Sequence, residues 1–69
     1  MLEKSEETAW ALTNIGVVLR DSKCYSSALA YFKKSQSLWK GLQGGDEMTM
    51  KLALEINKIE KYLYDQQDN

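Results

Sequence analysis

The sequence predicts an all-α fold of three antiparallel amphipathic helices, over about residues 6–22, 26–41 and 46–66. Three observations predict it. The 69 residues contain no proline, and three of the four glycines fall between positions 41 and 45, so the chain has one strong break. A second break is the cluster of turn and cap formers Asp21-Ser22-Lys23-Cys24-Tyr25-Ser26. Between these breaks the apolar residues recur in steps of three and four, the period of one helical face. Short connections then set neighbouring helices antiparallel. The stretch Ile15–Leu19 is rich in β-formers but sits inside a longer helical pattern.

The first helix opens with Glu6 and Glu7, whose charge suits the positive end of the helix dipole. Leu12, Ile15, Gly16 and Leu19 are expected to form its buried face, widened by Val17 and Val18. The second helix has Ser26 as its expected N-cap. Its stripe Ala28, Phe32, Ser35, Trp39 and Leu42 alternates small and large residues, which lets a neighbouring helix lie close. Lys40 and then Gly41 fit a helix stop. The third helix has Asp46 as its expected N-cap and the stripe Met48, Leu52, Ile56, Ile59 and Leu63. Glu47 and Lys51 form an i,i+4 pair on its wet side. The end Asp65-Gln66-Gln67-Asp68-Asn69 is expected to fray.

Composition narrows the function. A chain this short is one domain of modest core, and marginal alone. It fits a fragment or the terminal part of a larger protein. Cys24 is the only cysteine and there is no histidine, which leaves neither a disulfide framework nor a Cys/His zinc site. Nine basic and ten acidic residues give a net charge of −1, with no general pull toward nucleic acid or an anionic membrane. The acidic start Met1–Glu7 lacks an apolar run and is not expected to act as a signal peptide. No segment reaches the roughly 18 apolar residues of a membrane span. A cytoplasmic protein with no metal or cofactor is the expectation.

Catalysis needs an activated nucleophile, paired carboxylates in a cleft, or a metal. Cys24 lacks a histidine to activate it and reads as a turn residue or a small buried hydrophobe. Gly41-Leu42-Gln43-Gly44-Gly45-Asp46 is Gly-rich and leads into a helix. It lacks both a preceding strand and the Lys-Ser/Thr ending of a phosphate loop, and reads as a connector. Tyr31, Tyr62 and Tyr64 stand in surroundings too weakly basic for a base-stacking platform. The chain is therefore expected not to be an enzyme. The third helix, with its four-three-four spacing, also offers a dimerisation strand.

The order Leu12-x-x-Ile15-Gly16-x-x-Leu19 followed by Ala28-x-x-x-Phe32 resembles the tetratricopeptide repeat, with the family's twelve-residue gap from Gly16 to Ala28. Tyr25, three residues before Ala28, also fits. A mid-helix glycine costs about 1 kcal/mol against alanine, so Gly16 implies that another backbone approaches closely, with Ala28 and Ser35 as its small partners. Leu12 stands where the family has Trp, Lys23 where the turn has Gly, and Lys40 where a closing Pro is usual. Lys23 should therefore strain the turn slightly. The long second helix and Gly-rich loop are similar to the kinesin-light-chain style of repeat. A shift of 44 takes Leu12, Ile15 and Leu19 to Ile56, Ile59 and Leu63, but takes Gly16 to Glu60. The third helix thus resembles a cap or a half-repeat.

The resemblance implies a protein–protein interaction module that takes a peptide or helix in a concave groove. Carried over by position, the groove comprises Trp10, Thr13, Asn14, Val17, Arg20 and Asp21, with Asn57, Lys58, Lys61 and Tyr64 from the third helix. Asn14 beside Lys58 and Lys61 implies an extended, slightly acidic ligand. Thr13 and Val17 replace the Lys and Asn with which chaperone-binding members clamp a carboxylate, so no such tail is expected. The alternative is structural. One repeat and a cap fall below the roughly three repeats usual for a stable solenoid, which favours a homo-oligomer through Trp39 and Leu42.

Overall fold

The computed structural model describes residues 5–67. Its elements are α1 (Glu6–Asp21), α2 (Tyr25–Lys40) and α3 (Asp46–Gln67). No strand occurs among the described residues. The expectations for Met1–Lys4 and for Asp68 and Asn69 concern residues outside that range. Helix α3 itself runs on through Gln67.

Local chemistry sets each boundary. Ser5 is extended at φ −120°, and its hydroxyl accepts from the Thr8 amide at 3.2 Å, capping α1. At the other end Cys24 N–H donates to the Leu19 carbonyl at 2.8 Å and Lys23 N–H to the Arg20 carbonyl at 2.9 Å. This is the Schellman closure, and Lys23 takes its left-handed position at φ 66°. The strain expected there is present, carried by a residue with a Cβ.

Two cap expectations are corrected. The reversal after α1 is so tight that α2 starts at Tyr25, with Cys24 at the N-cap and no side-chain cap bond; Ser26 is already helical. Asp46 is likewise the first residue of α3 rather than its cap. The Gly45 carbonyl begins that helix by accepting from Thr49 N–H at 2.9 Å. Gly45 is buried, and a Cβ on it would overlap the Trp39 carbonyl oxygen, so only glycine lets the connector fold back onto the end of α2.

Helix α2 is the middle layer. Helices α1 and α3 each pack antiparallel against it, and among the described residues they make no close backbone approach to each other. Ala28, Phe32, Ser35 and Trp39 are buried as their spacing predicts. So are Leu52, Ile56 and Ile59 of α3, with Met48 and Leu63 half-buried beside them.

Helix α1 differs from expectation. Its buried residues are Ala9, Thr13 and Gly16, while Leu12 and Leu19 are half-buried and Ile15 and Val18 are 41% and 63% exposed. The helix meets a single neighbour, and its small residues face it. Gly16 is indeed a point of close approach, but to a side chain rather than a backbone. A Cβ there would lie 2.7 Å from Phe32 Cε1 and 2.8 Å from Cδ1.

Buried polar atoms close this interface. Thr13 Oγ1 donates to the Ala9 carbonyl at 2.8 Å and accepts from Trp39 Nε1 at 3.2 Å. It also meets the Ser35 hydroxyl, which reaches the same carbonyl at 3.1 Å. No buried side-chain nitrogen or oxygen lacks a partner among the described residues.

Candidate interaction groove

Because α1 and α3 stand apart on one supporting helix, they leave a groove between them. Its floor is the Phe32 ring of α2. Thr13, Val17 and Arg20 form the α1 wall. Met48, Lys51, Leu52, Glu55 and Lys58 form the α3 wall, with the exposed Leu54 at its outer edge. The spacing explains both walls. Thr13, Val17 and Arg20 step by four and three along α1, and Lys51, Glu55 and Lys58 step by four and three along α3.

A charge bridge crosses the opening. Arg20 Nη1 donates to Glu55 Oε1 at 2.9 Å, and Arg20 Nη2 lies 3.3 Å from Asp21 Oδ1. The Glu55 hydrogen bond raises the Arg20 pKa further above its already high ordinary value, with Asp21 adding to it against the desolvation. Lys58 Nζ reaches the other Glu55 oxygen at 3.8 Å. The lining thus carries three cations (Arg20, Lys51 and Lys58) and the carboxylate of Glu55, and each cation has a partner, Arg20 and Lys58 in Glu55 and Lys51 in Glu47. At the end of α1 the groove adjoins a second depression bounded by Asp21, Lys23, Tyr25, Ile59 and Tyr62. There the Tyr25 and Tyr62 rings pack with centroids 4.8 Å apart.

The residues expected from sequence distribute unevenly. Val17, Arg20 and Lys58 line the groove, and Asp21 lines the adjoining depression. Thr13 touches the groove but is 6% exposed, with its hydroxyl engaged in the core. Trp10 is half out of the structure at 44% and packs edge-on against Trp39, their centroids 5.4 Å apart. Asn14, Asn57, Lys61 and Tyr64 are exposed and lie outside the groove walls.

The reason is geometric. Carrying positions from α1 to α3 by one translation selects the same side of two parallel helices. The walls of a cleft are opposite sides, so Lys51, Leu52, Glu55 and Met48 escape that procedure.

Trp39 needs correction as a self-association residue. It is 4% exposed within the single chain and bonded to Thr13, so it is a core residue; Leu42 is half-buried beside it. Cys24 is an exposed free thiol in the turn between α1 and α2. No group of His, Cys, Asp and Glu that could hold a metal occurs among the described residues. No described helix is long and apolar enough to cross a membrane. Comparison with known proteins finds no family model, no curated protein and no solved structure that matches the chain.

Proposed function

We propose that the chain is a non-catalytic binding module of tetratricopeptide type, and that the groove between α1 and α3 takes a peptide segment of another protein. The observation that carries the reading is the groove's composition: an apolar floor and apolar wall residues beside three cations and one carboxylate. Such a cleft suits a segment with one apolar anchor flanked by Asp or Glu. The anchor displaces water from Phe32, Val17 and Leu52, and the flanks meet Lys51, Lys58 and Arg20. The motif Ile15-Gly16 with Ala28 and Phe32 supports the family reading, with Gly16 lying directly against the Phe32 ring. An exposed thiol at Cys24 suits a reducing compartment such as the cytoplasm.

The test is a titration of the labelled chain with synthetic peptides bearing a central Leu or Phe between acidic residues, followed by amide shifts. Binding should shift Val17, Met48 and Glu55 most and should weaken as salt rises. Val17→Glu should weaken it about tenfold or more by placing a carboxylate on the wall. Equal binding of peptides with basic flanks, or shifts centred outside the groove, would overturn the proposal.

A further inference from the structure

We infer that Glu55 is a resident carboxylate that holds the groove's anion position in the free chain, and that an acidic side chain of the bound peptide takes its place on Arg20. The inference rests on the peptide-binding reading above and adds how that site is guarded. Glu55 is the one carboxylate in the groove lining, and its two oxygens serve two of the three cations there. Oε1 accepts from Arg20 Nη1 at 2.9 Å, and Oε2 lies 3.8 Å from Lys58 Nζ. Glu55 comes from α3 and Arg20 from α1, so their pair spans the opening instead of running along one helix. An acidic guest therefore meets cations that the chain has already neutralised with a group of the guest's own kind.

The local contacts suit an exchange. Asp21 Oδ1 accepts from Arg20 Nε and Nη2, both at 3.3 Å, so one edge of the guanidinium stays held when Glu55 leaves, and Nη1 is free for a new acceptor. Glu55 is not stranded by the move. Lys58 is already beside it, and Lys51 stands one turn back on the same helix. The Arg20 and Glu55 side chains are 33% and 30% exposed, and a pair that wet is weak enough to be replaced. The exchange swaps one carboxylate for another on Arg20 and leaves every charge a partner. It also discriminates: a neutral peptide offers Arg20 no replacement, so opening the bridge for it is uncompensated.

The experiment is calorimetric titration of the whole chain with a synthetic peptide carrying Leu between pairs of Glu. Wild type, Glu55→Gln and Glu60→Gln are compared, with helicity recorded on each to check the fold. Gln keeps the size of Glu55 without its charge. Glu55→Gln should bind the peptide about fivefold more tightly, the factor that a weak exposed pair represents. A carboxylate that only held the groove in shape would give the opposite sign. Glu60→Gln removes the same charge from α3 at a residue outside the groove lining, paired with Lys33, and should change binding less than about twofold. A second measurement does without the peptide: inorganic phosphate is added while the Arg20 side-chain N–H signals are followed. At equal phosphate they should move several-fold more in Glu55→Gln than in the wild type. If no version binds the peptide but this phosphate contrast holds, the peptide reading falls while Glu55 stands as the occupant of the anion position. Unchanged or weaker peptide binding by Glu55→Gln, an equal gain in Glu60→Gln, or phosphate shifts alike in wild type and Glu55→Gln would overturn the inference.

Discussion

Helix α2 meets α1 through small and polar groups, and α3 through aliphatic ones. Toward α1 the contact is Ala9, Thr13 and Gly16 against Phe32, Ser35 and Trp39, with one backbone carbonyl and three side chains hydrogen-bonded inside it. Toward α3 the buried contact is Leu52, Ile56 and Ile59. Its polar links lie at the edges: Lys33 to Glu60 at 3.1 Å, and Gln36 Nε2 to the Thr49 carbonyl at 3.2 Å. Hydrogen bonds are directional and hydrophobic burial is not. The first interface therefore fixes the position of α1, while the second supplies stabilising area with less positional demand.

The largest effect should come from the aliphatic side. Ile56→Ala removes a side chain 7% exposed and should cost about 3 kcal/mol in chemical denaturation. A loss under about 1 kcal/mol would show that α3 collapses onto the vacancy and is held loosely. Thr13→Val keeps the volume of the polar side but strips Trp39 Nε1 of its acceptor. It should cost about 2 kcal/mol, and distinctly less in a Trp39→Phe background, where no donor is left unpaired. If the two backgrounds lose equally, that hydrogen bond does not position α1. Gly16→Ala should have the smallest effect. Helix propensity favours it by about 1 kcal/mol, but its methyl would overlap the fully packed Phe32 ring. Overpacking costs of roughly 1–3 kcal/mol leave a net destabilisation of about 1 kcal/mol by the same measurement.

The same contrast governs what could be read from the sequence. The stripes of α2 and α3 are legible because their buried residues carry the apolar mass. The breaks at Asp21–Ser26 and Gly41–Gly45 placed the helices within a residue or two of their bounds. On α1 apolar mass misleads. Leu12, Ile15 and Leu19 attract a periodicity argument, yet close approach selects Ala9 and Gly16, and Thr13 is buried because its partners come from 22 and 26 residues away. No local pattern reveals such partners. Gly16 was legible because a glycine inside a helix needs a reason, although the ring that supplies it was not. The groove was half legible: its α1 wall follows from one helix, but its α3 wall depends on which way the second helix is rotated.

One feature of the rim carries a mechanical consequence. Across the opening, α1 and α3 are tied by the Arg20–Glu55 bridge, whose side chains are 33% and 30% exposed. A pair that wet is worth no more than about 1 kcal/mol, close to thermal energy. The cleft is therefore a jaw with a stiff hinge at α2 and a weak latch at its lips. Breaking that single bridge would widen the lips and leave the packing of both helices on α2 intact.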